Sequence, residues 1–401
     1  MTALPVAAAS HAAGALTDLA IILVAAKIGD EIFKRIGQPA IVGEILAGLV
    51  VGPAVLGFVE VSEIVDVFAE LGVVFLLFWV GLETRLHEMR EVGGTAVRVG
   101  LAGVALPFAA GLGVALALDE STETAIFVGA ALSATSVGIT SAVLAEAGAL
   151  GSRAARTIIG AAVIDDILAL ILVAVAVGIA AEGGVDVVSI LVALGFAGAF
   201  LAFFALGGVR LMQARPNLLH EPRFSESPLL PAVILCLALA ALASEIGLAT
   251  VIGAFIAGLV VAETKEQHPI EEEVEALYAF FPPFFFASIG IGLEIDVFSD
   301  PETLAILAVI TVVAILTKVV GSGLGARALG PVNARIVAVG MVPRGEVGII
   351  VAGIGAGAGV LDDQLFAVIV GMSVLTTILV PPFLGRAVAA ARPQPSASSV
   401  E

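Results

Sequence analysis

The chain has 401 residues, of which 60% are hydrophobic and only 13% charged, with a mean hydropathy of +1.13. That balance lies far outside the range of soluble globular domains, so most of the chain sits in lipid. The net charge of −18 comes from acidic residues that cluster mainly in short connections, where water solvates them, and it does not call for nucleic acid or any other charged partner.

A membrane span needs about 20 mostly apolar residues, and the sequence predicts about 13 such helices. They run at about 11–35, 39–58, 66–83, 96–117, 123–147, 156–181, 187–210, 228–247, 249–263, 277–295, 303–327, 334–359 and 364–390. No basic segment precedes the first of them, so it reads as a span and not as a cleaved leader. Every loop Lys and Arg falls at an odd-numbered connection or in the tail: Lys34 and Arg35, then Arg85, Arg90 and Arg98, then Arg153 and Arg156, Arg210, Arg215 and Arg223, Lys265, Arg327 and Arg335, Arg386 and Arg392. Lys27 can snorkel to the same side. By the positive-inside rule the N-terminus is outside and the C-terminus cytoplasmic in a multi-pass cell-membrane protein. Of 18 basic residues this leaves two, Lys318 and Arg344, inside spans.

In chain order, the second span carries Glu44, and the fifth is interrupted by the small, hydroxyl-rich run Ser133-Ala134-Thr135-Ser136-Val137-Gly138-Ile139-Thr140-Ser141. The sixth holds Asp165 and Asp166 near its centre. The eighth contains Cys236, a lone buried thiol that excludes a disulfide framework and a multi-cysteine metal site, and Glu245 near its end. Lys318 lies deep in the eleventh. The twelfth contains Val342-Pro343-Arg344-Gly345-Glu346-Val347-Gly348, where Pro343 removes a donor and the glycines, like Gly138 in the fifth, loosen the backbone. His11, His87, His220 and His268 are too scattered for a metal site. No nucleophile–base set, phosphate loop or cofactor motif appears, so the chain does not read as an enzyme and needs no cofactor.

Ile41-Val42-Gly43-Glu44-Ile45-Leu46-Ala47-Gly48-Leu49-Val50-Val51 recurs as Val251-Ile252-Gly253-Ala254-Phe255-Ile256-Ala257-Gly258-Leu259-Val260-Val261, an offset of 210, and Gly81-Leu82-Glu83 recurs as Gly292-Leu293-Glu294, an offset of 211. Two matches in order at nearly one offset predict a duplicated six-helix unit, inverted in the membrane because a single linking helix joins the copies. The two interrupted spans correspond at the same offset. Paired discontinuous helices of this kind mark a transporter's binding site, at the interface of the copies.

Each aspartate near the bilayer centre costs about 2.5 to 3.5 kcal/mol, so each needs a reason to be there. Lys318 needs a buried counter-ion, for which an aspartate is the obvious candidate. Burial favours a protonated carboxylate and a bound cation favours the anion, so proton and metal compete for one group. A hard monovalent ion takes oxygen ligands, which Asp166, Thr135, Ser136 and freed carbonyls can supply. Arg344 and Glu346 can pair with each other or brace the crossing of the broken helices.

Ala134-Thr135-Ser136-Val137-Gly138-Ile139-Thr140, Ile164-Asp165-Asp166, Lys318 and Pro343-Arg344-Gly345-Glu346-Val347-Gly348 together make the chain resemble, over nearly its full length, a sodium/proton antiporter of the monovalent cation/proton antiporter superfamily. The resemblance implies a homodimer with scaffold helices at 1–95 and 228–300, a mobile core at 96–186 and 301–390 that moves like an elevator, a linking helix at 187–212 and a short tail at 391–401. It implies that Asp166 carries the sodium (or lithium) ion and the proton, with Asp165 as a further ligand, and that Asp165 pairs with Lys318. An aspartate at the first position of the pair goes with electrogenic exchange in this family. Similar potassium-efflux proteins carry a nucleotide-binding domain after the last span, whereas this chain ends soon after Arg392. A potassium/proton antiporter and a non-transporting sensor or channel on the same fold are the alternatives.

Overall fold

The computed structural model describes residues 4–60, 62–84, 86–180, 187–215, 229–246, 248–263, 270–293 and 300–391, and the regular structure among them is helical. The first third forms α1 (Leu4–Arg35), α2 (Ala40–Val51), α3 (Glu63–Leu82) and α4 (Leu86–Ala117). An interrupted helix follows as α5 (Thr122–Ser133) and α6 (Val137–Glu146), and then α7 (Arg153–Ala180). The linking span is α8 (Val187–Phe200), a π-helical stretch Leu201–Gly208 and α9 (Val209–Ala214). The second half comprises α10 (Leu229–Glu245), α11 (Thr250–Ala262), α12 (Glu271–Phe280), α13 (Pro282–Ile291) and α14 (Pro301–Gly325). It ends with α15 (Pro331–Gly340), α16 (Glu346–Gly357) and α17 (Asp363–Ala391).

Seven of the described helical segments are long and apolar enough to cross a membrane, and four more apolar helices are shorter. The fifth and twelfth predicted spans are each two half-helices. The tenth is also two pieces, α12 and α13, meeting at Phe281 where Pro282 and Pro283 begin the second helix. Helix starts follow local chemistry: Ser62, Ser121 and Asp300 accept first-turn amides of α3, α5 and α14 from Val65, Thr124 and Thr303.

Packing gathers the helices into two groups. α1, α2, α3, α10, α11 and α13 pack mainly on one another, and α4, α5, α7, α14, α15, α16 and α17 form the second body, with α6 running along the junction against α3, α2 and α17. Several seams in the first group are glycine contacts, two of them joining the first half of the chain to the second. Between α2 and α13, a Cβ at Gly48 would strike the carbonyl oxygen of Ala287, and one at Gly290 that of Ile45. Between α11 and α3, a Cβ at Gly258 would strike the carbonyl of Phe78, and one at Gly81 that of Phe255. Close approach of small residues is how helices associate where lipid is as apolar as the side chains.

Candidate functional site

The two interruptions lie against each other. Residues 134–136 leave the helix in extended conformations, with Ala134 at φ −57°, ψ 149° and Ser136 at φ −89°, ψ 107°. In the facing segment, residues 341–345 separate α15 from α16, and Pro343 supplies no N–H that could continue a helix. The Ser136 amide donates to the carbonyl of Pro343 at 2.8 Å, the Thr140 hydroxyl to the carbonyl of Gly340 at 2.6 Å, and the Thr135 hydroxyl points at the carbonyl of Met341 at 3.5 Å. Backbone groups freed by each break are thus partly satisfied by the other helix.

Lys318 and Asp165 are both fully buried and form an ion pair, Nζ lying 3.0 Å from Oδ1 and 3.3 Å from Oδ2. The same ammonium donates to the carbonyl of Ser133 at 2.6 Å, at the C-terminal end of half-helix α5. Arg344, also fully buried, donates to the carbonyls of Met341 at 3.3 Å and Val342 at 2.7 Å, just past the end of half-helix α15, and to that of Ala314 on α14 at 3.3 Å. The two basic residues that topology leaves over therefore do similar work from different positions, Lys318 from α14 and Arg344 from the break itself. Each places a cation on the carbonyls at the negative end of a broken helix.

Asp166 is 7% exposed, and Thr135 and Ser136 are buried. Asp166 and Arg344 both lie close enough to act on Lys318 electrostatically. The sequence-predicted residues Asp165, Asp166, Lys318, Thr135, Ser136, Pro343 and Arg344 are thus brought together around one crossing. Gly138 is not part of the break: it stands in the first turn of α6 and permits packing, since its Cβ would lie 3.2 Å from Val73 of α3. Glu346 begins α16, and its side chain lies outside the described part of the structure, as do residues His220, His268, Arg223, Lys265 and Glu294. Among the described residues no cluster of His, Cys, Asp and Glu could hold a metal ion.

Sequence reasoning missed the residues that hold Arg344. Its amide donates to the Thr376 hydroxyl at 3.1 Å and its carbonyl accepts from the Thr377 hydroxyl at 2.5 Å, both on α17. Two adjacent threonines in the middle of an apolar span were the available signal. Gly103 on α4 was likewise unmarked, and it faces Lys318: a Cβ there would lie 2.9 Å from Ser322 Oγ and 3.7 Å from Lys318 Nζ.

Two cavities line the junction of the helix groups, the first of them opening onto this centre. One, of about 340 Å³, runs from Asp66 and Glu70 on α3 to Arg344 and Gly345. The other, of about 420 Å³, is bounded by Lys27, Asp30, Lys34, Glu44, Glu146 and the stacked pair Trp79 and Tyr278.

The transmembrane model of the sodium/hydrogen exchanger family matches residues 19–389. Among curated proteins, the Na(+)/H(+)-K(+) antiporter GerN of Bacillus cereus is 38% identical over 370 residues, covering 92% of this chain and 94% of that one. The high-affinity Na(+)/H(+) antiporter NhaS3 of Synechocystis is 34% identical, covering 93% of this chain and 89% of its own length. Among solved structures, the sodium proton antiporter MjNhaP1 of Methanocaldococcus jannaschii superposes with a TM-score of 0.66 at 18% identity, covering 94% of this chain and 98% of that one, a likeness of fold.

Proposed function

We propose that this chain, which belongs to the sodium/hydrogen exchanger family, exchanges sodium or lithium for protons across a cell membrane, with Asp166 as the group for which cation and proton compete. The observation that carries the reading is the buried Lys318–Asp165 pair with Asp166 beside it on α7. Lys318 pairs with Asp165, and the neighbouring carboxylate of Asp166 points to a different face of the helix, about 100° away, so the two aspartates can serve different roles. Oxygens of Thr135 and Ser136 and the carbonyls of the breaks supply a hard ion's ligands. A loaded carboxylate is cheaper to carry through a low-dielectric barrier than a naked one, so competition alone couples the two fluxes.

Under this reading α4 to α7 and α14 to α17 move as a body against α1 to α3 and α10 to α13, with the N-terminus outside, in a homodimer. The division of packing into two groups supports it, as do the matching glycine seams, in which Gly48 and Gly258 stand at the repeat offset of 210. Lys318 releases or takes up a second proton as sodium comes and goes, which makes the exchange electrogenic. Potassium is the second reading for the cation, because the name of GerN includes it.

Proteoliposomes loaded with a pH-sensitive dye, given sodium, lithium and potassium in turn, test the proposal. Dequenching by sodium and lithium is the expected result. A response to potassium alone transfers the reading to a potassium/proton antiporter, and no response to any of the three ends it.

A further inference from the structure

We propose that Glu146 is a latch between the two groups of helices, fixing the observed arrangement by capping α2 from the end of α6; the inference rests on the moving-body reading above. The first amides of any helix lack intrahelical acceptors. α2 starts after Pro39, which offers no side-chain cap. The acceptor comes instead from 106 positions away: the Ala40 amide donates to both carboxylate oxygens of Glu146, at 3.0 and 3.2 Å.

Glu146 is the last residue of α6, and α6 is tied through Ser136 and Pro343 to the helix crossing. One carboxylate at the junction thus satisfies the backbone of the opposite group, with the sign that the positive end of α2 favours. Nearby Lys34 forms its ion pair with Asp30 of its own helix, at 2.7 Å, and acts on Glu146 electrostatically, whereas the α2 amide hydrogen-bonds this carboxylate directly. Glu44 and Tyr278 line the same cavity from α2 and α12.

A hydrogen bond of 3.0 Å does not survive a slide of more than about 1 Å. Displacement of α6 along α2 therefore breaks both contacts and leaves the Ala40 amide without this partner. Only an interaction that differs between two arrangements can bias their populations, and this one exists in a single arrangement. Its removal is expected to change the ratio of the two states about fivefold.

The test is a distance measurement on the full chain in lipid nanodiscs. In a Cys236→Ala background, spin labels are placed at Gln38, before α2, and Ala389, on α17, which line one cleft together with Gly37, Pro39, Glu146 and Gly385. Electron–electron resonance then reads the fraction of molecules at the short distance. Glu146→Ala should lower that fraction relative to the parent, shifting the ratio about fivefold, and Glu146→Gln, which keeps an acceptor but not the charge, should fall between them. A distribution unchanged, or moved toward the short distance, overturns the latch. Should Glu146→Ala fail to fold, Glu146→Gln decides by the same criterion. Dye dequenching by the unlabelled parent is measured in parallel; its failure would strike the transport reading, whereas the comparison of distances does not depend on which ion is carried.

Discussion

Ser136 and Pro343 join the two interrupted helices main chain to main chain, the amide of one donating to the carbonyl of the other at 2.8 Å. Next to that bond, a Cβ on Gly345 would lie 2.6 Å from Ser136 Oγ and 2.7 Å from Ser136 Cβ, closer than real contacts permit. Gly345→Ala should therefore pry the crossing open, costing about 1–3 kcal/mol of stability and at least about tenfold in exchange rate. The double variant Gly345→Ala/Ser136→Gly removes the colliding side chain and should recover much of the lost thermal stability. Melting of the purified proteins checks this, and equal melting of single and double variants would show that the clash is relieved elsewhere.

Asp166→Asn should abolish exchange while the protein remains folded. The amide keeps the shape of the carboxyl, but it neither releases a proton nor offers a full negative charge. Dye dequenching and size-exclusion profiles measured on one preparation decide the matter; retained sodium/proton exchange would move the carrier role to another residue.

Lys318→Gln leaves Asp165 buried without its ammonium, an imbalance that typically costs about 3 kcal/mol. Asp165→Asn/Lys318→Gln removes both charges and should melt higher than the single lysine variant. The charge moved per turnover separates a proton carrier from a brace. Solid-supported membrane recordings should show a diminished sodium-driven current in Lys318→Gln, and an undiminished current in the folded variant assigns the lysine to structure alone.

Asp300, exposed at the start of α14, accepts from the amide of Thr303 at 2.9 Å and from its hydroxyl at 2.8 Å, and these bonds hold its carboxyl below the ordinary aspartate value. A depressed value means that the cap stabilises the fold above the unfolded-state pKa and that this contribution fades as pH falls through the folded-state value. Asp300→Ala should thus lower the melting temperature at neutral pH, with the gap to the parent closing in acid. A gap that stays constant down the acid limb would mean that the ionised cap is not what stabilises this end of α14.

Much of the centre was legible because lipid makes charge informative. Lys318, Arg344 and the aspartate pair stood out as charges with no place in apolar spans, and Pro343 with the hydroxyl run around Thr135 marked the breaks. The structure places these residues around a single crossing. Gly138 misled because a glycine that loosens a backbone and one that admits a neighbouring helix look alike in sequence; only the position of Val73 distinguishes them. Thr376 and Thr377 escaped notice because hydroxyls in membrane helices commonly return to their own helix, as Thr317 does to Val313. The bond between Ala40 and Glu146 was out of reach, since it depends on two helix ends meeting across the fold.

The glycine seams bear on stiffness. Where carbonyl oxygens of one helix rest against the bare Cα atoms of another, at Gly48, Gly290, Gly258 and Gly81, there is no layer of side chains whose rotamers could absorb a shear. α2 with α13, and α3 with α11, are then effectively two stiff beams, and a load applied to one end is delivered at the other with little loss. If the two groups move as proposed, the compliance resides where side chains separate the backbones, and the borders of α6 are the bearing surface.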